Sequence, residues 1–198
     1  MNFILALIVG YFLGNISASF IVGKLTKNID IRKFGSGNAG ATNTLRVLGL
    51  KAGLLVFFVD ILKGVAAVLL GRLVAGDAGG MIAGAASVAG HIWPAFLSFK
   101  GGKGVATSFG VLVVLFPVVA LILFAVSASL VAITRFMSLG SIAAAILLPI
   151  LLLVIGYDWL YIIFGLVLAA LIIYLHKSNI SRLLAGKENK LGSKPKVK

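Results

Sequence analysis

Cysteine is absent from this chain of 198 residues, and acidic residues are scarce. A chain without a thiol has no disulfide, no zinc–thiolate site and no cysteine nucleophile. Aspartate and glutamate together number five and there are two histidines, so the sequence offers no convincing set of metal ligands. We therefore expect neither a metal ion nor a cofactor.

Charged residues of either sign are also few. They make up 12% of the chain, and hydrophobic residues make up 61%, whereas a soluble domain carries roughly 25% charged residues. This composition predicts a polytopic membrane protein. The net charge of +13 would suggest a nucleic-acid partner for a soluble chain, but in a membrane protein basic residues mark the cytoplasmic side. We expect the lipid bilayer, and not nucleic acid, as a partner.

Apolar segments follow one another along almost the whole chain. A helix needs about 20 residues to cross roughly 30 Å of hydrocarbon. A single helix over 104–134 would be about 46 Å long at 1.5 Å per residue, so we divide it into two short helices that turn at Phe116 and Pro117. The predicted spans are 2–23, 53–75, 79–98, 104–116, 118–134, 139–156 and 158–175.

Basic residues determine the predicted orientation. The segment 24–51 carries six lysine and arginine residues and one acid, Asp30. The segment after His176 is also basic, so both segments are expected in the cytoplasm. The predicted fold class is an all-α membrane protein with seven transmembrane helices, the N-terminus outside and the C-terminus cytoplasmic. The first apolar segment has no basic residue before it and is interpreted as a signal anchor.

The domain organisation is expected to be simple. No internal repeat is evident, and residues 1–186 are predicted to form a single polytopic membrane domain. Residues 187–198, "KENKLGSKPKVK", are predicted to be a basic cytoplasmic tail. Because this tail is polar and carries many like charges, we expect it to be disordered and to lie near anionic lipid.

Polar segments interrupt the apolar chain at a few places, all on the predicted cytoplasmic side. "GSGNAGATNTLR" is 35–46, "GHIWPAFLSFKGGKGVAT" is 90–107 and "HKSNISRLLAGKE" is 176–188, with a smaller segment at 135–141. Chance would scatter such segments over both sides of the membrane. Their shared side predicts one functional site at the inner membrane interface.

The second polar segment has the character of an anion-binding loop. Glycines let the backbone approach an anion closely, successive N–H groups form a concave nest, and Lys100 and Lys103 add positive charge. Residues 104–107 are predicted to open a helix whose N-terminus adds a partial positive charge. The first segment repeats this pattern through Ser36, Gly37, Asn38, Gly40, Thr42, Asn43 and Arg46. Two such loops suggest two phosphates.

Nucleotide binding is not the favoured interpretation of these loops. "GSGNAG" matches G-x-G-x-x-G, but a membrane helix and a basic loop precede it where a dinucleotide fold needs a strand. Gly104 follows Lys103 at the place where a nucleotide-binding loop needs serine or threonine. Simpler roles also exist, because paired glycines often serve packing and lysines often mark topology. The many polar residues of the first segment favour a binding site over these simpler roles.

The sequence offers few groups for catalysis. His91 ends one span and His176 ends the last, with Asn179 on the same helical face, although an interfacial histidine is more often a hydrogen-bonding residue than a catalyst. Asp60 and Lys63 lie inside a span, where we expect a structural ion pair, with a functional pair as the alternative. With no thiol and no obvious strong base, an enzyme of this composition is expected to use an activated substrate.

The three polar segments resemble, in order and spacing, the signature motifs of the bacterial acyl-phosphate:glycerol-3-phosphate acyltransferase family (PlsY). The resemblance covers essentially the whole chain. It implies a transfer of an acyl group from acyl phosphate to the 1-hydroxyl of sn-glycerol 3-phosphate, which yields lysophosphatidic acid in phospholipid biosynthesis. It also implies a bacterial inner membrane location. Lys177 is a departure, since the family pattern has arginine after the histidine and lysine loses the bidentate fork.

The resemblance also implies roles for particular residues. The donor acyl phosphate would be bound by Asn38, Gly40, Thr42, Gly101, Gly102, Lys103, Gly104 and Thr107. Glycerol 3-phosphate would be bound by Ser36, Arg46, Lys103, His176 and Asn179. The catalytic set would be Ser36, Arg46, His91 and Lys103. The hydroxyl proton is expected to pass to the departing phosphate, with His91 as the alternative general base.

A membrane transporter of an organic phosphate is the competing hypothesis. Such a protein also combines buried charge with anion loops near broken helices. Two observations argue against it. The polar segments all face one side and not the midplane, and no inverted repeat is visible.

Overall fold

The structure, a computed structural model, describes residues 2–192, and in this range it consists of helices and turns without a strand. The described residues form two compact units. The first runs to Leu115, and the second begins at Phe116. The predicted all-α class is confirmed.

Five α-helices build the first unit: α1 Asn2–Asn15, α2 Ala18–Lys27, α3 Ala41–Leu48, α4 Leu50–Ile92 and α5 Val105–Leu115. Short 3-10 turns lie at Ile31–Lys33 and Ala95–Leu97. Helix α3 was not foreseen, because its residues were predicted only as part of a polar loop.

The 43-residue helix α4 is a hairpin of two arms. Ala75 and Gly76 leave the helical region, and Gly76 has a φ of 64°, which glycine adopts without a steric cost. The arms then pack closely: a Cβ atom at Gly71 would overlap the backbone of Gly79, and the reverse also holds. The break separates the predicted spans 53–75 and 79–98, the second of which extends beyond the end of α4 at Ile92.

Helix α1 packs on the second arm of α4 through glycine contacts. A Cβ atom at Gly14 would overlap the carbonyl oxygen of Ser87, and one at Gly90 would overlap that of Tyr11. Small residues of this kind let membrane helices approach each other closely. The α1–α4 contact is therefore a close backbone contact that depends on glycine.

The first predicted span, 2–23, is not one continuous helix. Residues Asn2–Lys27 form a candidate span of 26 residues, but Ile16 and Ser17 separate α1 from α2. Lys63 donates hydrogen bonds to the carbonyl oxygens of Gly14 and Ile16 beside this break. The interruption thus provides acceptors that a continuous helix would use internally.

The second unit contains α6 Pro117–Thr134, α7 Met137–Ile155, α8 Trp159–Leu175 and α9 Lys177–Leu184. The predicted interruption at Phe116 and Pro117 is confirmed, with Pro117 in the first turn of α6, where its missing N–H costs nothing. Phe116 is buried against the rings of Tyr157 and Tyr161, with centroids 5.0 and 5.4 Å away.

Four helical segments of the described chain are long and apolar enough to cross a membrane, or five when α8 and α9, bent by 60°, count as one. The class of multi-pass membrane protein is confirmed. Apart from 2–23, which is divided between α1 and α2, each predicted span corresponds to a helix or to one arm of α4. The seven crossings and the orientation of the termini stay predictions.

The chain after α9 includes ordered contacts. Leu191 donates its N–H to the carbonyl oxygen of Arg135 at 2.7 Å, and the Arg135 guanidinium donates to the Leu191 carbonyl oxygen at 2.9 Å. Glu188 is buried. The expected disorder therefore does not extend to 187–192, because an acidic residue among lysines finds hydrogen-bond donors in the second unit. The rest of the predicted tail, 193–198, lies outside the described residues.

The glycine contact between α1 and α4 generates a stability prediction. Gly14→Val is expected to lower the free energy of unfolding by about 1–3 kcal/mol, because the added methyl groups overlap the backbone of α4. The thermal midpoint of the detergent-solubilised protein measures this. Ile8→Val is the matched control, since Ile8 is exposed on the same helix. Equal midpoints for the two variants would contradict the close contact.

Candidate functional site

The glycine-rich loop 101–104 wraps around the end of α4. The N–H of Gly101 donates to the carbonyl oxygen of Ile92 at 3.0 Å, and the N–H of Gly102 donates to that of His91 at 3.1 Å. A Cβ atom at Gly102 would overlap Nε2 of the His91 ring. Glycine is therefore needed at 102 for the backbone to lie against the histidine.

The first two polar segments lie side by side in the first unit. The N–H of Ala39 points to the carbonyl oxygen of Gly101 at 3.4 Å, and a Cβ atom at Gly102 would be 2.8 Å from the carbonyl oxygen of Ala39. The proximity that the sequence predicted for these two segments is thus observed.

Helix α5 begins directly after the glycine-rich loop 101–104, which is called the second loop, as predicted. Gly104 has a φ of 77°, the helix starts at Val105, and the N–H of Ser108 donates to the Gly104 carbonyl oxygen at 2.7 Å. The first turn of a helix carries a partial positive charge. Lys103 is half-buried at this point and Lys100 is exposed. The N–H groups of Gly101 and Gly102 are used within the fold, contrary to the expected nest of backbone donors, so the features that suit an anion are the start of α5 and Lys103.

Asn43 holds the first polar segment, 35–46, in shape; this segment is called the first loop. Its Nδ2 donates to the carbonyl oxygens of Ile31 and Phe34 at 3.2 and 3.1 Å, and its Oδ1 accepts from the N–H of Ser36 at 2.8 Å. The side chain is buried. The expectation that Asn43 contributes to anion binding is wrong, because both of its N–H donors are used within the fold.

The other polar residues of the first loop are more accessible. Ser36 is exposed, and Asn38, Thr42 and Arg46 are half-buried. Thr42 and Arg46 are four residues apart on α3, so they share one face of that helix. Gly40 caps the start of α3. Ser36, Asn38 and Thr42 are therefore accessible to solvent.

Arg32 connects the segment before the first loop to the segment before the second loop, a contact that was not predicted from the sequence. Its Nη1 donates to the carbonyl oxygen of Leu97 at 2.7 Å, and its Nη2 pairs with Asp30 at 2.8 Å. The hydrogen bond from Arg32 holds the pKa of Asp30 below its usual range. Arg32 is one of the six basic residues that predict a cytoplasmic side for 24–51. No local pattern predicts its contact with the distant residue Leu97.

A buried charged cluster lies directly beneath the second loop. Lys63 Nζ is 2.8 Å from Asp60 Oδ1 and 2.7 Å from His91 Nδ1. It also donates to the carbonyl oxygens of Gly14 and Ile16 at 3.2 and 3.0 Å. The predicted Asp60–Lys63 ion pair is confirmed, but the sequence did not predict that His91 completes it.

Asn15 fastens the segment after His91 to α1. Its Nδ2 donates to the Tyr11 carbonyl oxygen at 2.7 Å, and its Oδ1 accepts from the N–H of Ala95 at 2.6 Å. The Tyr11 hydroxyl donates to the carbonyl oxygen of Trp93 at 2.8 Å. Sequence reasoning did not single out Asn15, although an asparagine within an apolar span is a signal that could have found it.

Thr107 occupies a different place from the one expected of a phosphate ligand. It is fully buried, and a Cβ atom at Gly64 would overlap its carbonyl oxygen. Its hydroxyl has no hydrogen-bond partner in the described part of the chain. The close packing of α5 on α4 therefore gives the predicted contact between Thr107 and the donor phosphate no support, and that contact stays a prediction.

The third polar segment belongs to the second unit. His176 is buried, and its Nδ1 lies 2.8 Å from the Ile172 carbonyl oxygen, which can only accept, so Nδ1 carries a proton. Asn179 Nδ2 donates to Glu188 Oε1 at 2.8 Å. Glu188 also accepts from Ser138 at 3.1 Å and from Arg182 at 2.7 Å. Sequence reasoning assigned Glu188 to the tail and missed this contact.

Comparison with known proteins identifies relatives over the whole chain. The family profile described as glycerol-3-phosphate acyltransferase matches residues 4–186. The glycerol-3-phosphate acyltransferase of Thermoanaerobacter sp. (strain X514) is 50% identical over 198 residues and is covered completely, as is this chain. That of Alkaliphilus metalliredigens (strain QYMF) is 47% identical, with 98% of each chain covered.

Solved structures show the same fold. One is the crystal structure of PlsY (YgiH), an integral membrane glycerol 3-phosphate acyltransferase, in its glycerol 3-phosphate form. Its sequence is 43% identical to this chain and the TM-score is 0.91. The match covers 97% of this chain and 96% of the PlsY chain. The lysophosphatidic acid form has a TM-score of 0.88 at the same identity and coverage.

The hydrogen bonds of Asn43 generate a prediction for the first loop. Asn43→Ala is expected to lower the free energy of unfolding by roughly 1–3 kcal/mol, because it leaves buried backbone groups unpaired. Asn38→Ala is the matched control, since Asn38 is half-buried in the same loop and has no side-chain hydrogen bond among the described residues. The thermal midpoint measures both, and equal midpoints would show that Asn43 does not hold the loop.

Proposed function

Because this chain belongs to the glycerol-3-phosphate acyltransferase family, in its integral-membrane PlsY form, we propose that it takes the acyl group from an acyl phosphate. The acceptor is the 1-hydroxyl of sn-glycerol 3-phosphate. The products are 1-acyl-glycerol 3-phosphate, which is lysophosphatidic acid, and inorganic phosphate. The reaction serves phospholipid biosynthesis.

The observation that carries this proposal is the contact between two glycine-containing loops at the start of α5. The Ala39 N–H points to the Gly101 carbonyl oxygen, and Gly102 lies against His91. The start of α5 and Lys103 favour a phosphate at the second loop. The residues proposed to bind the acyl phosphate are Asn38, Gly40, Thr42, Gly101, Gly102, Lys103, Gly104 and Thr107, of which Gly102, Gly104 and Thr107 are buried.

Glycerol 3-phosphate is proposed to bind polar residues that the family resemblance singles out. The proposed ligands of glycerol 3-phosphate are Ser36, Arg46, Lys103, His176 and Asn179. The exposure of Ser36 and the partial exposure of Arg46 and Lys103 support the first three. The roles of His176 and Asn179 stay predictions. Ser36, Arg46, His91 and Lys103 are the proposed catalytic residues, and they act by orientation and charge stabilisation.

The chemistry needs no enzyme nucleophile, since acyl phosphate is a mixed anhydride with a good leaving group. The acceptor hydroxyl oxygen attacks the acyl carbon and forms the ester bond. The bond between the acyl carbon and the phosphate oxygen breaks, and its electron pair leaves with the phosphate. The hydroxyl proton passes to that phosphate. The absence of cysteine agrees with direct transfer, because no thioester with the enzyme can form.

The proposed location is the bacterial cytoplasmic membrane, with the active site on the cytoplasmic side. The basic residues of the segment 24–51 and of the chain after His176 support this orientation. In this orientation the first and second loops face the cytoplasm, which supplies soluble glycerol 3-phosphate. They also border the membrane, which holds the acyl donor.

The decisive experiment supplies the purified protein in detergent with palmitoyl phosphate and glycerol 3-phosphate. Phosphate release that needs both substrates, with lysophosphatidic acid in equal amount, is the expected result. Palmitoyl-CoA is expected to fail as a donor. A folded, lipid-supplemented sample that releases no phosphate would contradict the proposal and favour transport, tested by uptake of a phosphate ester into liposomes.

Removing the positive charge at the second loop is expected to stop turnover. Lys103→Ala should lower kcat by about a hundredfold or more, because the charge that stabilises the phosphates is lost, while the thermal midpoint stays close to that of the parent. Lys100→Ala is the matched control, as Lys100 is exposed in the adjoining segment. Near-normal activity of Lys103→Ala would remove this loop from the site.

A side chain at the second loop is expected to weaken donor binding. Gly102→Ala should raise the KM for palmitoyl phosphate by about tenfold or more, because the new methyl group displaces the backbone from His91. The KM for glycerol 3-phosphate is measured in the same preparation and should change less. An unchanged KM for palmitoyl phosphate would exclude Gly102 from donor binding.

A further inference from the structure

The surroundings of Lys63 determine the direction of its hydrogen bonds. Its Nζ has four neighbours within hydrogen-bond distance: Asp60 Oδ1 at 2.8 Å, His91 Nδ1 at 2.7 Å and the carbonyl oxygens of Gly14 and Ile16 at 3.2 and 3.0 Å. Carbonyl and carboxylate oxygens only accept. The adjacent Asp60 carboxylate compensates a buried ammonium. Lys63 is therefore an ammonium whose three N–H groups donate to His91 Nδ1 and to the two carbonyl oxygens, while the Asp60 carboxylate neutralises its charge.

This direction determines the tautomer of His91. An ammonium has no lone pair, so Nδ1 of His91, 2.7 Å from it, must accept. A protonated Nδ1 would place two donors opposite each other. Asp60 Oδ1 lies 3.4 Å from Nδ1 and is the longer contact. His91 is then a neutral imidazole whose single proton is on Nε2.

The Nε2–H group of His91 lies at the second loop. A Cβ atom at Gly102 would overlap Nε2 and would be 2.9 Å from Cε1, so this edge of the ring borders the loop backbone. Among residues 2–192 no hydrogen bond of Nε2 is found. The ring thus presents an unused N–H donor beside the loop proposed to bind the donor phosphate. A nitrogen that already carries a proton cannot act as a general base.

We propose that Lys63 and Asp60 are positioning residues that hold His91 in the Nε2–H tautomer, so that His91 donates a hydrogen bond to the acyl-phosphate oxygens and removes no proton from the acceptor hydroxyl. The inference rests on the proposed function, within which it assigns His91 its role. It also explains the break between α1 and α2, since the carbonyl oxygens of Gly14 and Ile16 fix the Lys63 ammonium beneath the histidine.

Nuclear magnetic resonance tests the tautomer without reference to activity. The full-length protein labelled with 15N-histidine is reconstituted in nanodiscs, and long-range proton–nitrogen correlations are recorded near neutral pH. His91→Gln assigns the signals, because only two histidines are present. The expected spectrum shows a protonated Nε2 and an unprotonated Nδ1 for His91. A protonated Nδ1, or an equal mixture of tautomers, would overturn the proposal.

A double variant tests whether Lys63 and Asp60 impose this state. Asp60→Asn/Lys63→Met removes both charges and so avoids an unpaired buried charge. Its His91 signals are expected to shift to a mixture of tautomers, with a higher KM for palmitoyl phosphate. An unchanged His91 spectrum would show that the pair does not set the tautomer. If the double variant does not fold, the parent spectrum still decides the assignment.

Two substitutions of His91 distinguish a hydrogen-bond donor from a base. Glutamine places an amide N–H near the position of Nε2 and cannot act as a base, whereas asparagine is too short to reach it. His91→Gln is therefore expected to retain clearly more activity than His91→Asn, at comparable thermal midpoints. Equal loss in both variants would overturn the donor role. Loss of transferase activity in the parent, with an Nε2–H spectrum, would refute the proposed function and leave the tautomer assignment intact.

Discussion

A charged group buried in an apolar protein must find all of its partners within the fold, and this constraint shapes the first unit around Lys63. The ammonium contacts Asp60 on its own helix, His91 at the end of the second arm of α4, and carbonyl oxygens beside the break between α1 and α2. Three separate chain segments thus meet at one nitrogen. Each partner offsets part of the desolvation free energy of the buried ammonium, so we expect that few substitutions are tolerated at these positions.

Close backbone approach is the second requirement, and it explains the many glycines. Gly14 and Gly90 bring α1 against α4, so the break in the first span reaches Lys63. Gly102 brings the second loop against His91. The charged cluster and the second loop are therefore neighbours through packing, and backbone hydrogen bonds to the end of α4 set the shape of the loop.

The second unit shows the same principle with an acid at its centre. Glu188 accepts hydrogen bonds from Ser138 on α7 and from Asn179 and Arg182 on α9. It thereby orients Asn179, a residue predicted to bind glycerol 3-phosphate. In a chain with five acidic residues, two of them, Asp60 and Glu188, are buried and hold predicted site residues or their neighbours.

Composition and local pattern alone determined the helical membrane class, the positions of the long helices, the interruption at Pro117 and the Asp60–Lys63 pair. These depend on hydropathy, on proline geometry and on spacing within one helix, which are local properties. Only the tertiary structure decided that His91 joins that pair, that Asn43 serves the loop and not an anion, that Thr107 is buried and that Glu188 binds Asn179. These contacts join residues that are distant along the chain or on different elements, and their existence depends on packing that no local pattern encodes.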